Sequence, residues 1–151
     1  MSYQSFCVSV YEEIDMKRII KRGYLLIAGL IMMLVGSYIA ITTLDYVTVM
    51  SAEDIVPSNN MLSDLRGMGG MLLVLGAYVL IGSFRINWQQ PALIIAVGFF
   101  TSFVVFRNLG FVLDGWPDTS IMIAYWVEVV MAASGVWIAT EKRGQSLKAN
   151  L

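Results

Sequence analysis

Tyr24-Leu-Leu-Ile-Ala-Gly-Leu-Ile-Met-Met-Leu-Val-Gly-Ser-Tyr-Ile-Ala-Ile-Thr-Thr-Leu44 is a run of 21 residues without one charge. A helix needs about 20 mostly apolar residues to cross a hydrocarbon core of about 30 Å, so this run reads as a membrane span. Three further runs follow at about 65–84, 91–113 and 119–140, carrying Arg66 at the start of the second, Arg107 in the third and Glu128 in the fourth. The runs are continuously apolar rather than alternating, and they are about twice the length of a barrel strand. The fold class is therefore all-α, an integral membrane four-helix bundle.

Composition agrees. Of 151 residues, 58% are apolar and 14% charged, against about 45–50% and about 25% in a soluble domain. The high-charge, low-hydropathy signature of disorder is missing. One cysteine, Cys7, rules out a disulfide scaffold. With no histidine there is no His-based metal site, and no cofactor motif is visible. A net charge of −1 gives nothing for nucleic acid to bind.

Local signals bound the spans. Asp45 follows the first run. Ser63 and Asp64 stand where the second helix wants an N-cap. Arg85-Ile-Asn-Trp-Gln-Gln-Pro91 is a short polar connection, with Pro91 suited to a first turn. Asp114-Gly-Trp-Pro-Asp-Thr119 is a tight turn in which Asp118 or Thr119 caps the fourth helix, and Glu141-Lys-Arg-Gly ends it. Between the first two spans, Ser51-Ala-Glu-Asp54 suits the start of a short helix stopped by Pro57.

Lys and Arg set the orientation. Lys17, Arg18, Lys21, Arg22, Arg85, Lys142, Arg143 and Lys148, eight of the ten basic residues, fall on one side. The other side carries Asp45, Glu53, Asp54, Asp64, Asp114 and Asp118. Both termini are thus expected in the cytoplasm, with residues 1–22 a cytoplasmic segment, 23–140 the four-span domain and 141–151 a cytoplasmic tail. Residues 1–15 are polar and mixed. Met16-Lys-Arg-Ile-Ile-Lys-Arg reads as a natural start, so either translation begins at Met16 or residues 1–15 lie on the membrane as a tail. A cleaved signal is disfavoured, since its apolar core runs only about 7–15 residues.

Lipid is as apolar as leucine, so small residues should mark helix contacts. Gly29, Gly36 and Ala40 do so on the first helix; Arg66, Gly69, Gly70, Leu73, Gly76 and Ala77 share a face of the second. Gly98 and Ser102 are four apart on the third, and Ala124, Glu128, Ala132, Gly135 and Ala139 line the fourth. Most of these are plain packing positions. Arg66 and Glu128, however, project from such faces and should point into the bundle.

A charge at the bilayer centre costs about 2.5–3.5 kcal/mol on insertion scales. At 1.5 Å per residue, Arg107 lies about 10 Å below Asp114 and Glu128 about 13 Å below the same turn. This predicts an Arg107–Glu128 pair, with Arg66 above it near Asp64 or Asp114. Two Arg and one Glu leave a surplus positive charge, suited to a lipid phosphate or a carboxylate. The bland reading has both arginines snorkelling to headgroups. Phe99, Phe100, Phe103, Phe106, Phe111, Trp116, Tyr125 and Trp126 fall in the same region, either as pocket walls or as ordinary packing and belt residues.

Ser63-Asp-Leu-Arg66-Gly-Met-Gly-Gly70, Arg107-Asn-Leu-Gly110, Asp114-Gly-Trp-Pro117 and Glu128, in that order, resemble a bacterial family of small four-helix inner-membrane proteins. That family is catalogued only as a domain of unknown function and is distantly similar to DoxX-like proteins. The resemblance covers about residues 17–140. It implies a four-helix inner-membrane fold with Arg66, Arg107, Asp114, Gly115, Pro117 and Glu128 as marked positions, and it implies no activity.

Three functions compete. The first is a non-enzymatic module binding a lipid, another amphipathic or anionic molecule, or a membrane partner through an Arg66, Arg107, Glu128 and Asp114 cluster. Asp64, Gly69, Gly70, Gly115, Pro117 and Tyr125 would support that cluster. The second is a small proton-coupled transporter using Glu128. Small multidrug exporters also have four spans, but their working carboxylate lies on the first helix, which here has no charge. The third is a lipid- or quinone-linked enzyme subunit, for which no nucleophile or metal constellation is evident. A homodimer is compatible with the small faces left over.

Overall fold

Each apolar run becomes a helix longer than itself. The computed structural model describes residues 3–50 and 56–148, with side chains for 16–50 and 56–140. Helix α1 spans Tyr3–Ile41, α2 Thr43–Met50, α3 Asn59–Phe84, α4 Gln89–Leu113 and α5 Thr119–Lys148, with one 3-10 turn at Ile86–Trp88. Four segments are long and apolar enough to cross a membrane: Met16–Ile41, Asn59–Phe84, Ile86–Leu113 and Thr119–Thr140. The chain is a multi-pass membrane bundle, and among the described residues it contains no strand.

Several boundaries differ from those expected. The α1 helix starts at Tyr3, so the polar N-terminal stretch continues the first span as one helix. That helix stops at Ile41 because two threonines bond backwards: Thr42 Oγ1 donates to the Tyr38 carbonyl at 2.8 Å and Thr43 Oγ1 to that of Ile39 at 2.6 Å. Such bonds bend helices. The chain turns there into α2, whose first turn holds Asp45, where a negative charge suits the helix dipole. The expected cap at Ser51 lies outside the described residues.

The cap of α3 is Ser58, five residues ahead of Ser63. Its extended backbone lets Oγ accept the Met61 amide at 3.2 Å. Ser58 directly follows Pro57 and is the earlier of the two available caps, so Ser63 and Asp64 fall inside the helix. The α5 helix runs through Gly144 to Lys148. One helical glycine costs only about 1 kcal/mol, and its neighbours Lys142, Arg143 and Gln145 are good helix formers. In the α4–α5 turn, Gly115 has φ of +97°, a conformation that glycine enters without strain.

Packing begins with α1 against α3. A Cβ added to Gly36 would stand 2.6 Å from Leu73 N, and one on Gly69 2.6 Å from Ala40 N. Gly29 and Gly76 are as tight, at 2.7 Å from Leu80 N and Met33 N. The antiparallel register therefore pairs Gly29 with Leu80, Met33 with Gly76, Gly36 with Leu73 and Ala40 with Gly69. Seven-residue glycine spacing on both helices keeps the two backbones in contact along the seam. Gly70 and Gly98 do not take part: nothing lies within 4 Å of a Cβ built on either. Gly70 is about 100° around the helix from Gly69. The buried face of α4 is instead Ala92, Leu93, Ala96 and Phe100.

The second pair, α4 and α5, joins α1 and α3 through one core. That core holds Tyr24, Leu25, Ala28 and Met32 of α1, Leu72 and Val79 of α3, the same α4 residues, and Met131, Ala132 and Ile138 of α5. Most of these lie in the half of the bundle nearer the basic loops, while Met32 and Phe100 stand near its middle. Gly135 admits the Tyr24 ring, whose hydroxyl donates to the Met131 carbonyl at 3.1 Å. Lys21, one of the basic residues that set the orientation, is only 4% exposed, and its Nζ donates to Gln90 Oε1 at 3.1 Å. Tyr78 stacks on Trp88, and the Arg85 guanidinium lies 5.4 Å from the Trp88 ring.

Candidate functional site

The acidic half is built differently. The short turn after Leu113 sets α5 antiparallel to α4, bringing Arg107 and Glu128 to one depth. Arg107 Nε donates to Glu128 Oε2 at 2.7 Å and Nη2 to Oε1 at 3.0 Å. This fork-on-fork geometry is the strongest form of the pair, and it uses both carboxylate oxygens. The side chains are 26% and 12% exposed. A guanidinium carries five N–H groups, so three remain beyond the two given to Glu128. The charge also sits 5.7 Å from the Phe103 ring centroid.

The pair forms part of the wall of a cavity of about 340 Å³. Helices α1 and α2 contribute Ile31, Met32, Val35, Tyr38, Ile39, Tyr46 and Met50; α4 contributes Phe99, Phe100, Phe103 and Arg107; α5 contributes Ile121, Ala124, Val127 and Glu128. The lining is apolar apart from the ion pair and the two tyrosines, whose rings meet edge to face at 6.0 Å. A more open hollow of about 350 Å³ is lined by Ser102, Phe103, Phe106 and Arg107.

Arg66 stands apart from this arrangement. Its Nε donates to Thr43 Oγ1 at 3.3 Å, and it does not line the cavity. Among the described residues it forms no ion pair with Asp64 or Asp114. Asp64 is two positions away, so the two side chains do not share a face, and α3 packs on α1 rather than on α5. The expected three-residue cluster is thus a pair plus a separate arginine.

Asp114 is exposed and closes α4 through its amide, which donates to the Gly110 carbonyl at 2.7 Å. Gly115 and Pro117 shape the turn, and Gly69 belongs to the α1–α3 seam. Tyr125 faces Asn108 rather than Glu128. Asn108 Nδ2 donates to its hydroxyl at 3.1 Å, and that hydroxyl lies 3.3 Å from Asn108 Oδ1. Tyr125 also meets the Phe111 ring edge to face, and Phe111 stacks on the exposed Trp116. Of the aromatics singled out, Phe99, Phe100 and Phe103 line the cavity; the Phe111, Trp116, Tyr125 and Trp126 group is a girdle at the acidic end.

Tyr38, Tyr46 and Met50 were missed by sequence reasoning. The signal for them was the Thr42-Thr43 dipeptide, which folds α2 over the space beside α4 and α5.

A four-span helical bundle, packed solidly at one end and holding a bidentate Arg–Glu pair beside an apolar cavity at the other, is the class that fold and site define. The chain belongs to the family described as domain of unknown function DUF4345, whose model matches residues 20–139 and so reaches from the first span into the fourth. Comparison with curated proteins and with solved structures gives no significant match.

Proposed function

We propose that this protein is a non-enzymatic membrane module that holds a lipid or other amphipathic molecule in the cavity beside Arg107 and Glu128. The observation that carries this reading is the cavity itself. Ligand sites are concave, mostly apolar, about 300–1,000 Å³ in volume, and have a few convergent polar groups. This one has the apolar walls, and its polar groups converge from α1, α2, α4 and α5. The skewed distribution of Lys and Arg supports an arrangement with both termini in the cytoplasm of a bacterial cell and the cavity in the outer half of its inner membrane.

Binding is favoured over proton-coupled transport by the pair's geometry. Glu128 has both oxygens engaged by one guanidinium, whereas a carboxylate that carries protons needs an oxygen open to water.

The test is native mass spectrometry with lipid analysis on protein released from its own membrane. Ala124 lines the cavity, so Ala124→Phe fills it while leaving both charged residues in the chain. Wild type is expected to retain a specific bound mass that the variant loses. Identical bound-lipid profiles in the two proteins would count against the reading.

A further inference from the structure

Resting on that reading, the geometry points to the chemical class of the ligand: we infer that the cavity selects an uncharged single-chain amphiphile, bound by hydrogen-bond acceptor oxygens in its head, over its anionic counterpart. The surplus positive charge expected from sequence is not assembled at the cavity. Arg66 is bonded to Thr43 and does not line it. The charged groups that do line it are Arg107 and Glu128, and these cancel. An anion brought in would lose its hydration beside an existing carboxylate, with no net positive charge to meet it. A buried charge without a partner is costly.

What the cavity offers instead is donors. Three guanidinium N–H groups remain after Glu128 is satisfied. Among the described residues, the Tyr38 and Tyr46 hydroxyls have no hydrogen-bond partner. Both tyrosines line the cavity, Tyr38 from α1 and Tyr46 from α2. Ester, ketone or hydroxyl oxygens match such donors without bringing charge. The volume of about 340 Å³ is near the bottom of the ligand-site range of about 300–1,000 Å³, which suits one chain or ring rather than two acyl chains.

The experiment is a competition in phosphatidylcholine nanodiscs read by native mass spectrometry. The probes are 1-lauroylglycerol and 1-lauroylglycerol 3-phosphate, which differ only in the phosphate. On wild type, the neutral probe is expected to be retained over the anionic one by about tenfold or more, corresponding to about 1.4 kcal/mol. Glu128→Gln keeps the side-chain shape and removes the negative charge, so the preference should swing toward the phosphate. A wild-type preference for the phosphate would overturn the inference and leave the cavity reading standing. Retention of neither probe, or of both equally by wild type and Ala124→Phe, would overturn the cavity reading and the inference with it. The wild-type ratio decides the matter even if Glu128→Gln does not fold.

Discussion

The basic half of the bundle is filled with alanines and close-packed apolar side chains: Ala28, Ala92 and Ala96 are completely buried, and Leu25, Leu93 and Val79 with them. In the acidic half, α1, α2, α4 and α5 surround an apolar space whose wall carries Arg107, Glu128, Tyr38 and Tyr46. The α1–α3 seam continues through both halves, because its glycines recur every seven residues from Gly29 to Gly76. What opens is the junction of that pair with α4 and α5. Large aromatics at Phe99, Phe100 and Phe103 replace the alanines of the α4 face, and the bend at Thr42 carries α2 over the gap. A hydrocarbon environment offers no water-driven force to close such a gap. The difference between halves therefore follows from side-chain size and one bend.

The sharpest way to break this comparison is to unpair the charges. Glu128→Leu leaves Arg107 without its carboxylate and should destabilise the bundle by about 3–5 kcal/mol. Adding Arg107→Leu should recover most of that loss, which thermal unfolding of both variants in nanodiscs will show. A single variant as stable as wild type would mean the pair contributes nothing to the acidic half.

Next in size is the seam. Gly69→Ala drives a methyl toward the Ala40 backbone and should cost about 1–3 kcal/mol, whereas Gly70→Ala, one residue on, meets open space. Equal effects at the two positions would break the assigned register. Tyr24→Phe removes the hydroxyl bonded to Met131 and should cost about 0.5–1.5 kcal/mol, measured by the same unfolding. Smallest is Gly98→Ala, which adds helix propensity at an uncrowded site and should stabilise by at most about 1 kcal/mol.

Much of this was legible in the sequence, for identifiable reasons. Long apolar runs gave the four spans, because each unpaired backbone group in lipid is costly and a helix satisfies them within one segment. The proximity of Arg107 and Glu128 followed from counting residues on either side of one tight turn, since rise per residue fixes depth. Depth is not azimuth, and that is where reading failed. Arg66 has the right height for a cluster but stands on a helix committed to α1. Gly69 and Gly70 are neighbours in sequence and face different surroundings. Tyr125 has Glu128 three residues on, yet its hydroxyl turns to Asn108. Lys21 looked like an orientation signal only, because a long basic stem can pack into a helix interface while its ammonium bonds a neighbour's amide. The cavity wall from α2 required knowing that Thr42 and Thr43 bond backwards, a choice made by local geometry rather than by pattern.

The central claim is that the acidic half holds a ligand in a defined cavity while the rest of the apolar surface merely meets lipid. Photolabelling tests it most directly, using a monoacylglycerol with a diazirine in its chain and wild-type protein in phosphatidylcholine nanodiscs. Labels are expected to concentrate on cavity residues such as Phe103, Ala124 and Val127 and to be suppressed by excess unlabelled probe. Labels spread evenly, with Met68, Met71 and Val74 on the exposed face of α3 marked as strongly and no suppression by competitor, would contradict it.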